Sequence, residues 1–112
     1  MKKLILCAVL LFSQQCFAET GIASWYSTKT NGTRTASGEK LNDSGLTCAH
    51  RTLKFGTKVK ITNLRNKKTV IVKVTNRGPF IKGRIVDVSV VAARELGFYK
   101  NGITKVKIEV LK

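Results

Sequence analysis

"TKVKITNLRNKKTVIVKVTNRGPF", residues 57–80, decides how the rest of the chain is read. Val59 and Ile61 alternate with Lys58 and Lys60, which is the period of a strand with one wet face. "RNKK" then supplies a polar turn. "TVIVKVTN", residues 69–76, returns as a second arm that is more apolar and so more buried, which makes the pair a β-hairpin. The second arm ends oddly. Thr75, Asn76, Arg77 and Gly78 are polar or small in succession, and Pro79 lacks the N–H that a ladder requires. This corner either turns the chain or carries chemistry.

Working outward, "GIASWY" (21–26) reads as a first strand, with Ile22, Ser24 and Tyr26 on one face and Ala23 and Trp25 on the other. Residues 27–48, "STKTNGTRTASGEKLNDSGLTC", form a long polar loop with few apolar anchors. Loops of that length in small domains are usually functional. "GRIVDVS" (83–89) is a short strand whose Ser89 can cap a helix over "VVAAREL" (90–96), closed by Gly97. "GITKVKIEVLK" (102–112) sets Ile103, Val106, Ile108 and Val110 among Lys and Glu as a last strand. The fold expected is mainly β, a small barrel that closes its own edges and carries one short helix.

The N-terminus has a charged "MKK", the apolar run "LILCAVLLF", and "CFA" ahead of Glu19. That is the pattern of a secretory signal peptide, and the run is short for a membrane span. Residues 1–18 are therefore expected to be removed, leaving 19–112 as one exported domain. A lipid anchor on Cys16 competes with this, although "FSQQ" lacks the small and aliphatic residues such processing wants. Cys7 and Cys16 belong to the leader, so Cys48 is left without an intramolecular partner and is expected to be buried beside Leu46 and Ala49.

The formal net charge is +15, of which the leader's Lys2 and Lys3 supply two. Such a surface favours polyanions: nucleic acid, anionic lipid or an acidic cell-wall polymer. Export makes nucleic acid the weakest of these. A basic surface with no polyanionic partner is the plainer alternative.

Four groups can carry chemistry: Glu39 in "TASGEK", His50 in "TCAHR", the corner "TNRGPF", and Asp87 in "IVDVS". The chain has only six acids. Glu19 sits at the expected mature terminus, Glu95 and Glu109 read as solvated surface, and Asp43 in "NDSG" reads as a turn former. A loop glutamate near an imidazole can give a proton to a leaving oxygen and take one back. Solvated Glu39 and a structural His50 are the plainer readings. Asp87, among Ile85, Val86 and Val88, must be hydrogen-bonded or paired. It can accept backbone N–H groups at the helix start or pair with Arg77 or Arg84, a structural role more than a catalytic one. One His and one Cys in "CAH" do not make a metal site, and no nucleophile elbow precedes Cys48. No metal or cofactor is expected.

Taken in order, "GIASWY", "TASGE", "LTCAHRTLKFGTKVKITNL", "VTNRGPF", "GRIVDVSVVAARELG" and "GITKVKIEVL" resemble the rare lipoprotein A family over essentially all of 19–112. The resemblance implies a six-stranded double-psi β-barrel with one short helix. It also implies an endolytic lytic transglycosylase that prefers peptidoglycan strands stripped of stem peptides. Glu39 and His50 match the family's glutamate and histidine, Glu39 as acid/base and His50 as the catalytic-site residue that orients it or the sugar. The implied substrate contacts are Asn76, Arg77, Trp25, Tyr26, Arg51 and Asp87, and Arg34, Lys40, Arg51 and Arg77 would line a basic groove. The family usually has Asn-Asp-Arg-Gly-Pro at the corner. Here Asn76 replaces the aspartate, and an amide cannot exchange a proton or offer charge. The expected partner is a peptidoglycan glycan strand met by a periplasmic or extracellular, cell-wall-associated monomer, with neither nucleic acid nor a stable membrane insertion. A non-catalytic, expansin-like glycan-binding barrel is the alternative, and a basic effector acting on another polyanion is a third.

Overall fold

The computed structural model describes residues 17–111. The expected leader, with Cys7 and Cys16, lies outside the described residues except for Phe17 and Ala18. Six strands and two short helices follow in order: β1 (Ala18–Trp25), α1 (Thr28–Asn31), β2 (Thr47–Ala49), β3 (Lys58–Asn63), β4 (Thr69–Asn76), β5 (Arg84–Val88), α2 (Val90–Leu96) and β6 (Ile103–Val110). They close into a barrel in the order β1-β5-β2-β4-β3-β6. The β1–β5 and β2–β4 pairs are parallel and the rest antiparallel. Closure leaves no edge among the described strands open to another chain.

The hairpin forms as its sequence directs. Val59 faces Val72 and Ile61 faces Val70, and all four point inward. At the turn, Lys67 takes a left-handed φ of 68°. Its N–H donates to the Asn63 carbonyl. Asn63, 2 % exposed, is the polar member of this inward row. Its amide donates to the Leu96 carbonyl, and its oxygen accepts from the Thr104 hydroxyl. One satisfied asparagine therefore ties the hairpin to α2 and β6. The core around it is almost wholly aliphatic, with Val74, Val86, Val88, Val106, Ile108 and Leu96 at its centre.

Three expectations change. The first strand begins at Ala18, ahead of Gly21, because its early residues pair with β6 from Ala18↔Glu109 onward. The polar loop contains the one-turn α1 and runs into the three-residue β2, both too short to show a period. Ser89 stands at the N-cap of α2 but makes no cap bond. Its hydroxyl donates instead to the Gly45 carbonyl at 2.5 Å, a partner that β2 brings alongside. Gly97 closes α2 as expected, with φ 81°. No helix among the described residues is long and apolar enough to cross a membrane.

Candidate functional site

The site is organised by register. Ser24 on β1 lies beside Asp87 on β5, Asp87 beside Ala49 on β2, and Ala49 beside Asn76 on β4. A bulge before Ala49 and Asn76 sets this row. Strands alternate their faces, so with Val86 and Val88 in the core Asp87 points away from it. Ser24 Oγ donates to Asp87 Oδ1 at 2.5 Å. Burial pushes the Asp87 carboxyl up, against the lowering effects of the Ser24 bond and of Arg84. The partner expected for Asp87, the helix start, is thus replaced by Ser24. No ion pair to Arg77 or Arg84 forms among the described residues.

The loop bearing Glu39 is folded onto this row. Asn76 Oδ1 accepts from the Ala36 N–H at 3.0 Å and from its neighbour Arg77 N–H at 2.9 Å. Ser37 N–H donates to the Thr75 carbonyl, and Thr35 Oγ1 donates to the Glu39 carbonyl. Leu41 packs on Tyr26 and Ala49 beneath. Glu39 itself is 52 % exposed on its side chain, with Lys73 Nζ 3.0 Å from Oε1 and 2.9 Å from Oε2. Beside it, Thr33, Arg34, Thr35, Gly38, Glu39 and Lys40 line a depression of about 270 Å³.

His50 follows Ala49 and is 4 % exposed. Its N–H donates to the Asn76 carbonyl at 3.1 Å. Its Nδ1 accepts from the Thr52 and Leu53 N–H groups at 3.1 and 3.2 Å, and its Nε2 lies 3.2 Å from Glu19 Oε1. The Phe17 ring meets it edge-on. No hydrogen bond joins His50 to Glu39 among the described residues. Arg77 Nη1 donates to the His50 and Leu53 carbonyls at 3.1 and 2.7 Å, and the guanidinium lies over the Phe55 ring. Arg77 therefore fixes the corner that the sequence had given it to contact substrate. Gly78, at φ 125°, lets the chain leave that corner, and the Gly78–Pro79 peptide is cis.

The remaining sequence candidates scatter. Tyr26 is 3 % exposed; burial raises its phenol, and its hydroxyl meets Thr47 Oγ1. It supports the loop from below. Trp25 takes the opposite face of β1, where its Nε1 donates to the Tyr99 carbonyl and its ring stacks on Tyr99 at 4.6 Å. Arg51 is exposed on the loop after His50. Asp43 is more than a turn former. It receives the Thr28 N–H and hydroxyl across the loop, while Asn42 makes the local turn. Glu19 reads in sequence as a terminal residue, and its position opposite His50 in three dimensions brings it in. Among the described residues, no three His, Cys, Asp or Glu side chains gather where a metal ion could be held.

The lytic transglycolase family profile matches residues 18–108. A probable endolytic peptidoglycan transglycosylase RlpA of Synechocystis sp. is 50 % identical over 92 residues, covering 82 % of this chain and 29 % of that protein. The endolytic peptidoglycan transglycosylases RlpA of Pasteurella multocida and Rickettsia felis are 48 % and 51 % identical. They cover 86 % and 88 % of this chain and 33 % and 45 % of their own. The chain thus spans about a third of the length of such curated relatives. Among solved structures, Streptomyces papain inhibitor superposes with a TM-score of 0.70 at 17 % identity, covering 86 % of this chain and 96 % of that one. The apo expansin of Clavibacter michiganensis superposes with 0.65 at 22 %, covering 86 % and 51 %. At those identities the likeness is one of fold.

Proposed function

The chain belongs to the lytic transglycolase family, and from that premise we propose that it cleaves β-1,4 links between N-acetylmuramic acid and N-acetylglucosamine in peptidoglycan strands. The relatives' names specify peptidoglycan as the polymer they act on, which supports a working place for this chain outside the cytoplasm, at the cell wall. In this reaction an acid protonates the glycosidic oxygen as its bond to C1 breaks. The same group, now a base, takes the proton from the C6 hydroxyl, whose oxygen closes on C1 as a 1,6-anhydro ring. No water enters, so one carboxylate serves where hydrolases use two.

The observation that supports this reading is the open carboxylate of Glu39 on a loop pinned to the Ser24–Asp87–Ala49–Asn76 row. Glu39 is the acid/base in this proposal. Asp87, half-buried with its carboxyl pushed up and next to Ala49 in the row that ends at Asn76, is a substrate contact in this proposal. Arg34 and Lys40, which line the depression beside Glu39, give it the positive charge that suits the lactyl carboxylates of stripped glycan, and Arg51 is a further exposed cation in this proposal. Mass spectrometry of stripped glycan incubated with the protein tests the proposal. Anhydromuramyl products from the wild type, absent with Glu39→Gln, support it. Product that survives Glu39→Gln but not Asp87→Asn would move the acid to Asp87.

Asn76 favours a second reading, a barrel that binds glycan without cutting it. Its side-chain oxygen is committed to Ala36 and Arg77, and it has no proton to exchange at ordinary pH. Binding to sacculi with no product at high protein and long incubation would decide for this reading.

A further inference from the structure

His50 is the one histidine in the chain, and every side-chain contact it makes constrains where its proton sits. Nδ1 faces two backbone N–H donors, those of Thr52 and Leu53. A proton on Nδ1 would point into both, so Nδ1 is an acceptor and the ring's N–H is on Nε2. Nε2 then donates to Glu19 Oε1. Both nitrogens are occupied by these partners. Such a ring has no free lone pair to offer a sugar hydroxyl.

The backbone of the same residue is what the site depends on. The His50 N–H holds the Asn76 carbonyl, and the His50 carbonyl receives Arg77 Nη1. Asn76 in turn holds the loop of Glu39 through Ala36. The start of β1 is thereby connected to the Glu39 loop by an unbroken series of hydrogen bonds: Glu19, His50, Asn76, Ala36.

We infer that His50 carries no catalytic proton and that Glu19 is a positioning residue for the cleft, acting through His50 on the corner of Asn76 and Arg77. The inference rests on the proposed reaction for its consequence in turnover, but its geometry can be tested without turnover. Being the only histidine, His50 gives a single pair of ring ¹⁵N resonances in histidine-labelled protein. The expected pattern is the Nε2–H tautomer, with Nδ1 in the acceptor range. An Nδ1–H tautomer, or a mixture of the two, overturns the inference.

Two substitutions at Glu19 complete the test. Glu19→Gln keeps an acceptor oxygen for Nε2–H and is expected to keep the tautomer, with turnover within about twofold of wild type. Glu19→Ala removes the acceptor, and it is expected to shift the Asn76 and Arg77 amide resonances and to lower turnover at least tenfold, in kcat more than in KM. Full activity and unshifted amides in Glu19→Ala would overturn the role. So would a Glu19→Gln as inactive as Glu19→Ala, since that would mean the charge itself is used. The residue adjoins the expected cleavage site, so intact mass is used to confirm that each variant starts at the same residue. If the wild type yields no anhydro product, the proposed reaction fails while the tautomer and the amide shifts still decide the positioning role.

Discussion

Asn76 Oδ1 accepts the backbone N–H of Ala36 at 3.0 Å, so the last residue of β4 holds a loop forty positions earlier in the chain. An aspartate at 76 would keep an oxygen in the same place and add a charge on the other. Asn76→Asp is therefore expected to leave the unfolding midpoint where it is and to raise the rate of anhydro-product formation. An unchanged rate would show that position 76 only holds the loop. Asn76→Ala leaves the Ala36 and Arg77 N–H groups without their acceptor. It should cost about 0.5–1.5 kcal/mol in denaturant unfolding, the net worth of an ordinary hydrogen bond, because water can reach the exposed Ala36 N–H in place of the lost acceptor.

The hairpin, β5, α2 and β6 were legible because their apolar periods are long enough to count. Residues 69–76 and 90–96 match their elements end to end. The chain's own punctuation also read correctly at Gly97. What failed was whatever depends on partners distant in sequence. Ser89 looks like a cap until β2 places the Gly45 carbonyl against it. Arg77 looks like a free cation until the loop of residues 50–55 folds two carbonyls and a ring around it. Glu19 reads as a terminal residue until β1 carries it to His50. Composition and spacing cannot report contacts across thirty-one residues, and its meeting with His50 is one of these.

The Glu39–Lys73 pair is exposed, at 52 % and 34 % of the two side chains. Pairs of this kind add little to stability, about 0–1 kcal/mol, because water screens them and two long side chains must be ordered. Lys73→Met is thus expected to leave thermal melting almost unmoved. Turnover of stripped glycan should still fall several-fold, because Glu39 loses the contact that fixes its carboxylate over the cleft. Melting by circular dichroism, run beside the product assay, separates the two effects. A large loss of melting temperature with normal turnover would contradict this account.

Asp87 carries a pH signature. Burial raises its folded-state affinity for a proton above the ordinary value of 3.8. The folded state therefore binds this proton more tightly than the unfolded chain does. That contribution to stability is fully present below 3.8 and is lost as pH rises through the higher folded value. At neutral pH keeping this half-buried carboxyl in the fold costs free energy that Asn does not share, and Asn still offers Ser24 an acceptor. Asp87→Asn should therefore melt above wild type at pH 7, with the gain shrinking toward zero near pH 3. A gain that grows on acidification would refute the burial argument.

Cys48 is fully buried, at 0 % exposure, between Val74 and Val88 in the barrel register, although its neighbour Leu46, expected beside it, is exposed. Burial pushes its thiol up to about 12, with a smaller push from Asp87. The reactive form is the thiolate, which the folded protein therefore neither favours nor exposes. A disulfide reagent at pH 8 should leave the native protein unmodified over the time in which the denatured chain reacts completely. Because the label can enter only through opening, its slow rate in the native state should follow the global unfolding equilibrium and accelerate with denaturant by the same slope. Cys48→Ser places a hydroxyl where the neighbours are aliphatic, at a cost of about 1–3 kcal/mol if it finds no acceptor. Rapid labelling of the native protein, at a rate insensitive to denaturant, would mean that β2 opens on its own. The row from Ser24 to Asn76 would then not be the rigid floor on which the Glu39 loop rests.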